Sequence, residues 1–216
     1  MPAPRVPFDQ LYARFNAPIA DFDCGQLCAP NNPSGKPFCC DICQAVPAAY
    51  RQEWEYLQGN TNLWHRWRPE ECGQPAFDPD AEIDGLPENM LLLACQGPRH
   101  CQRDFRALSC RQFPFFPFVS EDYRFIGLAC YWEYEKVCWV IQHLEAVSDT
   151  YRQQFVAAFD ELFDRWPDEL NSYADLSLEL CEVFQTRRRR VPILHRNGGF
   201  YLLSPASQRL RRAALP

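Results

Sequence analysis

The chain has 216 residues and a net charge of −6, which is long enough for one domain with a sizeable hydrophobic core. A chain of this length does not need disulfides in order to fold, so its 12 cysteines require another explanation. Residues 187–216 contain eight arginines and no acidic residue. The rest of the chain is therefore acidic, which argues against a general nucleic-acid-binding surface.

The N-terminal sequence MPAPRVPFDQLYARFNAPIADFDC lacks the apolar core of a secretory signal. The longest apolar run, Met90–Cys95, is far shorter than the roughly 20 residues of a membrane-spanning helix. We therefore expect a cytoplasmic protein without a membrane segment, in which thiols stay reduced. In that setting, clustered cysteines indicate metal ligands or redox groups rather than disulfides.

The first half of the chain alternates short elements with loops. Residues 24–45 are rich in Cys, Pro, Asn and Gly, which predicts a loop. A helix is predicted from about Pro47 to Gly59, and a long proline-containing loop over 68–89. The run MLLLAC at 90–95 predicts a short buried strand, and residues 96–118 read as irregular.

The second half is predicted to be mainly helical. Residues 131–165 carry an aromatic stripe at helical spacing, which predicts a core-facing helix, and a second helix is predicted over about 168–186. The sequences VPILH and FYLLS flank RNGG, a hairpin signal within the basic segment 187–216. Together these elements predict a single small, mainly α domain over residues 1–216. It has irregular cysteine-rich loops organised around a metal site, and a short C-terminal β-hairpin.

Nine cysteines between residues 24 and 130 form the candidate metal site. Spacings such as C-x3-C and C-x2-C place two thiolates on one turn, so that both can reach the same metal. Pairs that are distant in sequence then close the site, and metal binding contributes directly to folding. The predicted ligands are Cys24, Cys28, Cys39, Cys40, Cys43, Cys95, Cys101, Cys110 and Cys130.

The ligand type leaves the metal open. Four thiolates suit zinc and an iron–sulfur cluster equally well, and nine cysteines exceed the needs of one four-cysteine site. Two zinc ions, one cluster with spare thiols, or one cluster and one zinc all fit the count. Cys138 and Cys181 lie in apolar segments, where a free cysteine acts as a small hydrophobic residue.

The cysteine pattern resembles that of the YkgJ-type cysteine-cluster proteins, a family described as a zinc- or iron-chelating domain. The resemblance rests mainly on the segment CRQFP at 110–114, which follows Arg106 as in the family motif Arg-Pro-x-x-Cys-Arg-x-Phe-Pro. Three further cysteines match later positions of the family pattern: Cys95 after an apolar strand, Cys101, and Cys130 as the final one. The sequence departs from the family at Ala107, which replaces the proline. It also departs in the order of the first group, which reads CC-x2-C instead of C-x2-CC.

The resemblance covers residues 24–130 and implies metal binding with a redox or maturation role. A related cysteine motif occurs in flagellin lysine N-methylases, so a protein-modifying transferase that uses S-adenosylmethionine is the alternative. Whether the chain is an enzyme stays open, and the chain contains no G-x-S-x-G, Walker or dinucleotide-binding motif. A protein partner or substrate fits both hypotheses. The pattern indicates neither nucleic acid nor a membrane as partner, and it leaves the oligomeric state open.

Overall fold

A computed structural model describes residues 4–215. Within them the chain forms two compact units, where the sequence predicts one domain. The cysteine-rich unit comprises residues 7–16 and 23–113, and the sheet unit comprises residues 4–6, 17–22 and 114–215. No helix in this part of the chain is long and apolar enough to cross a bilayer.

The cysteine-rich unit is built on a three-stranded antiparallel sheet with the strand order β1-β3-β2. The central strand is the predicted apolar run, whose four inner residues are buried. The remaining residues of the unit form short helices, 3-10 turns and loops. The strands are β1 (Ala48–Tyr50), β2 (Trp64–Arg66) and β3 (Met90–Cys95), and the helices are α1 (Phe8–Arg14), α2 (Gly25–Cys28), α3 (Arg51–Asn60), α4 (Pro79–Asp84) and α5 (Leu108–Gln112).

The sheet unit contains a five-stranded antiparallel sheet with the order β4-β5-β6-β7-β8. Helix α8 packs on it through a core that includes Phe116, Leu180 and Ile193. The strands are β4 (Phe115–Val119), β5 (Phe125–Cys130), β6 (Val191–His195), β7 (Phe200–Leu203) and β8 (Leu210–Ala213), and the helices are α6 (Trp139–Gln142), α7 (Asp149–Arg165) and α8 (Pro167–Thr186).

The prediction of a mainly α domain with only a short C-terminal hairpin is wrong. The predicted hairpin exists as β6 and β7, but it is the middle of a larger sheet. Residues read as irregular form β4, which contains Pro117. A proline lacks the N–H that a central strand needs, yet β4 lies at the sheet edge and pairs on one side only, so the proline is tolerated there.

The two long helices follow their sequence signals. Ser148 caps α7 by accepting a hydrogen bond from the Tyr151 amide at 3.1 Å, and Pro167 occupies the first turn of α8. The predicted aromatic stripe of α7 is buried, and Cys181 lies on the core-facing side of α8, as expected for a small hydrophobic residue.

The central strands approach each other most closely at Gly127. A Cβ atom built on this glycine would lie 2.3 Å from the carbonyl oxygen of Leu194, a distance that real Cβ atoms do not adopt. The backbone atoms of β6 cannot move aside without breaking the ladder between β5 and β6. Only glycine is therefore compatible with this register.

Replacing Gly127 by Ala should destabilise the sheet unit by about 1–3 kcal/mol or more, because the added methyl group overpacks backbone against backbone. Urea denaturation followed by circular dichroism measures this change. Gly59→Ala is the control, because a Cβ at that helical position meets nothing within 4 Å. That substitution should be neutral or slightly stabilising. Equal losses from both substitutions would contradict the close approach.

Candidate thiol site

Seven free thiols lie in the cysteine-rich unit, and the structure brings several of them together around one arginine. Of the other two predicted ligands, Cys43 is bonded to Cys72 in a disulfide with a Cα–Cα distance of 5.5 Å. Cys130 lies in the sheet unit, at the buried end of β5. The seven free thiols are Cys24, Cys28, Cys39, Cys40, Cys95, Cys101 and Cys110.

Cys43 is predicted to be a free metal ligand, but it forms a disulfide with Cys72. The cytosolic-thiol argument predicts a reduced ligand, whereas the structure pairs Cys43 with a residue 29 positions along the chain. Both sulfurs lie in a small hydrophobic cluster that includes Trp67 and Leu92. The bond thus connects the first cysteine loop to the 68–89 loop, and Cys43 is not a free thiol beside Cys39 and Cys40.

Arg111 organises the segment that carries Cys101 and Cys110. Its guanidinium nitrogens donate hydrogen bonds to five main-chain carbonyls and to the side chain of Asn16, just after α1. The guanidinium also lies 4.1 Å from the ring centroid of Tyr12, a cation–π contact. The five carbonyl oxygens that accept from it belong to Tyr12, Phe15, Arg103, Asp104 and Arg106.

Glu53 supports the same segment from α3. Its carboxylate is fully buried and accepts hydrogen bonds from the Tyr12 hydroxyl, from the Leu108 amide at 2.6 Å and from the Tyr50 amide at 3.2 Å. Burial raises the pKa of Glu53, while these hydrogen bonds and the nearby Arg111 oppose that rise. The Glu53 carboxylate therefore connects the start of α5 to Tyr12 and Tyr50 through its hydrogen bonds.

Arg106 lies among the thiols. Its guanidinium donates a hydrogen bond of 2.7 Å to the carbonyl of Cys110, which fixes one end of the side chain. Burial disfavours the charged guanidinium, but its interactions with surrounding thiols raise the pKa of Arg106 above its ordinary value. The thiols that act on it electrostatically are Cys110, Cys101, Cys39 and Cys40.

Cys39 and Cys40 form the closest thiol pair, with 3.9 Å between their sulfur atoms. A hydrogen bond from Cys39 stabilises the thiolate of Cys40. Together with the positive charge of Arg106 it lowers the pKa of the Cys40 thiol to about 7, despite burial. The same hydrogen bond and burial raise the pKa of Cys39. Cys40 is thus the thiol of this pair whose pKa is lowered.

The other thiols of the group stay protonated in the absence of a ligand. Burial raises the pKa of Cys95 and of Cys101, and it raises that of Cys110 to about 12. Negative charge at Cys40 adds to each of these shifts, so all three thiols lie within electrostatic reach of that sulfur. Four of these thiols, those of Cys39, Cys40, Cys101 and Cys110, thus act on Arg106, Cys95 acts on Cys40 and Cys101, and Cys40 has the lowered pKa.

The two remaining cysteines of the first group form a separate pair. Burial is the largest factor that raises the pKa of Cys24, followed by the neighbouring Cys28, while Arg106 lowers it. Cys28 is buried, and its sulfur lies 3.5 Å from the Gly25 carbonyl oxygen. The first predicted group is therefore divided between this pair, the adjacent thiols Cys39 and Cys40, and the disulfide of Cys43.

Within residues 4–215, no three His, Cys, Asp or Glu side chains lie close enough together to hold one metal ion.

Sequence reasoning missed the two groups that shape the site, the Arg106 cation and the buried Glu53. The signal for Arg106 was its place before Cys110 in the family motif, but the charge role of that arginine was not inferred.

Comparison of the chain with family models, with curated proteins and with solved structures finds no match. The resemblance to the YkgJ-type family therefore stays a prediction that rests on the quoted motifs.

Replacing Arg106 by Gln should raise the pKa of the Cys40 thiol toward its ordinary value, because the stabilising cation is removed. In reduced, metal-free protein, alkylation of Cys40 by iodoacetamide at pH 7 should slow by about two- to fivefold. The rate is measured between pH 5 and 9 by peptide mass spectrometry. Arg99→Gln is the matched control, since Arg99 is exposed on the preceding turn. An unchanged profile in the Arg106 variant would contradict the assigned role.

Proposed function

We propose that the cysteine-rich unit binds a metal, as zinc or as an iron–sulfur cluster, through thiolates gathered around Arg106. The observation that carries this proposal is that four thiols, those of Cys39, Cys40, Cys101 and Cys110, lie within electrostatic reach of the half-buried Arg106 guanidinium. Burying a guanidinium among apolar side chains is unfavourable, and neutral thiols do not require a cation beside them. Cys95 lies within electrostatic reach of Cys40 and Cys101. The proposal requires these thiols to move closer together on binding, because within residues 4–215 no three such side chains lie close enough to hold one metal ion.

A buried cation suits a thiolate–metal centre for electrostatic reasons. Four thiolates bound to one divalent metal leave a net negative charge, which is costly to bury unless a positive group compensates it. The Arg106 guanidinium supplies that compensation and is held in place by the Cys110 carbonyl. Because the metal ligand is the thiolate, the acidic Cys40 is the natural first ligand at neutral pH.

The spacing of the adjacent thiols suits two thiolates on one tetrahedral metal ion, which zinc and an iron of an iron–sulfur cluster both allow. The 3.9 Å between the sulfurs of Cys39 and Cys40 is close to the ~3.8 Å that separates two thiolates on one tetrahedral zinc with bonds of ~2.3 Å. Cys95, Cys101 and Cys110 then supply the candidates for the remaining ligands. The methyl-transfer alternative, with S-adenosylmethionine, and the redox or maturation role stay predictions.

Anaerobic purification followed by elemental analysis, sulfide determination and a visible spectrum tests the proposal. Stoichiometric zinc in a colourless protein, or iron with acid-labile sulfide in a brown one, is the expected result. A folded chain that is isolated without metal, and that takes up neither zinc nor a cluster on reconstitution, would overturn it.

Replacing Cys40 or Cys110 by Ser should abolish stoichiometric metal, because each removes a thiolate from the group around Arg106. Metal content per chain, with circular dichroism to follow folding, measures the effect. Cys181→Ser is the control, since Cys181 is also a free thiol but is buried in the core of the sheet unit. That variant should keep its metal even if it is less stable. Equal metal loss from all three substitutions would argue against the assigned ligands.

A further inference from the structure

Strand β8 is an exposed edge of the five-stranded sheet. It pairs with β7 on one side, and no hydrogen bond joins its other side to any part of residues 4–215. Arg211 and Arg212 are exposed, and Leu210 and Ala213 are partly exposed. An open edge of this kind is a template on which another extended chain can pair. The strand belongs to the sheet unit and not to the thiol site, so the inference is independent of the proposed metal.

The main-chain groups of Leu210 and Arg212 point to the open side of β8. The Ser204 amide donates to the Arg209 carbonyl at 3.0 Å, so the main-chain groups of Arg209 face β7. Bonding alternates along an antiparallel strand, which turns those of Arg211 toward β7 and those of Leu210 and Arg212 outward. Within the described part of the chain, two N–H and two C=O groups thus remain available to an added strand.

The opposite edge of the sheet, β4, is closed to such pairing. All five residues of β4 are buried, and Pro117 in its middle has no N–H to donate. The Val119 amide donates to the Ser177 hydroxyl of α8 at 2.9 Å. Natural sheets commonly block their edges in these ways. Strand β8 contains no proline and is partly exposed along its whole length, so its edge stays open.

The charges on β8 determine which chain can pair there. Arg209 and Arg211 lie two residues apart and therefore share one face of the strand, whereas Arg212 lies on the other face. The residues opposite Arg209 and Arg211 on the β7 side are uncharged, and neither arginine has an ion-pair partner within residues 4–215. Their positive charge is therefore available to a neighbouring strand.

The segment that carries β8 has more positive charge than its ion pairs neutralise. Residues 187–213 contain eight arginines and no carboxylate side chain, and three of these arginines pair with carboxylates of other segments. Glu121 lies beside Gln208, and Glu145 shares a cleft with Arg212. Five unpaired arginines against these two carboxylates leave an excess of positive charge. The five arginines without an ion pair in the described residues are Arg188, Arg190, Arg209, Arg211 and Arg212.

Like charges make a second copy of the chain an unfavourable occupant of this edge. Two β8 strands paired edge to edge would place arginines against arginines, which destabilises cross-strand pairs. An incoming strand with acidic side chains forms opposite-charge pairs with Arg209 and Arg211 instead. The open main chain and the surrounding charge therefore favour the same kind of partner.

We propose that β8 is a docking edge for an extended acidic segment of a partner protein, which adds a sixth strand to the sheet. Acidic side chains at alternate positions of that segment lie opposite Arg209 and Arg211, while its main chain bonds Leu210 and Arg212. The main-chain bonds supply affinity, and the charges select the partner.

Fluorescence anisotropy of the full chain with a labelled short peptide of alternating glutamate and valine tests the site. Saturable binding is expected. The same peptide with proline in place of valine keeps its charge but cannot form a ladder, and it should bind at least about tenfold more weakly. A peptide of alternating lysine and valine should not bind. Amide hydrogen exchange at Leu210 and Arg212 should slow in the complex with the acidic peptide, because both amides gain acceptors.

Replacing both Arg209 and Arg211 by Gln should weaken binding of the acidic peptide by about fivefold, because two opposite-charge pairs are lost. The double substitution Arg188→Gln and Arg190→Gln is the matched control. It removes the same charge from exposed positions just before β6, two strands away from β8. It should change the dissociation constant by less than about twofold.

Equal weakening by the two double variants, with unchanged melting temperatures, would overturn the proposal, since it would indicate general charge attraction. Equal binding of the proline peptide, or binding of the acidic peptide without protection of the Leu210 and Arg212 amides, would also overturn it. The same holds for the absence of saturable binding up to about 1 mM. Tighter binding of a single-stranded oligonucleotide than of the acidic peptide would assign the surface to nucleic acid and overturn it as well.

Discussion

The arrangement of the thiol site depends on how one buried guanidinium is satisfied. Arg111 donates to five main-chain carbonyls from two distant stretches of the chain, the end of α1 and the turn before α5. Hydrogen bonds that involve a charged group contribute about 1.5–3 kcal/mol each. Because the acceptors are main-chain atoms, they fix the path of the backbone and not merely a side chain. Cys101, Arg106 and Cys110 take their positions from this path.

Glu53 and Arg111 both contact Tyr12, Glu53 at its hydroxyl and Arg111 at its ring face. A fully buried carboxylate is tolerated only when hydrogen bonds and an opposite charge compensate its desolvation, and both are present. Its acceptor oxygens hold the Leu108 amide at the start of α5, so the helix that carries Cys110 is fixed at both ends. Removing one partner of such a buried pair typically costs about 3–5 kcal/mol. Hydrogen bonds thus hold the backbone around α5, whereas the thiol groups that it carries are not bonded to other sulfur atoms.

The sequence predicts well what local pattern determines and poorly what depends on distant pairing. The buried strand at 90–95, the helix at 167–186 and the hairpin around RNGG follow from local pattern, whereas α7 begins at Asp149 and not near residue 131 as predicted. The five-stranded sheet was missed because Pro117 interrupts an aromatic run, and because the pairing of Gly127 with His195 joins residues far apart in the chain. For the same reason, cysteine spacing alone did not reveal the Cys43–Cys72 bond. Nor did it reveal that Cys130 belongs to the other unit.

The thiol site places one acidic thiol among weaker ones beside Arg106. Arg106 carries one positive charge and Cys40 is the one thiol with a pKa near 7, whereas burial keeps Cys95, Cys101 and Cys110 protonated. Additional negative charge can accumulate only when a bound cation compensates it. Each further thiolate that joins a metal must then release its proton, so metal affinity should weaken as the pH falls.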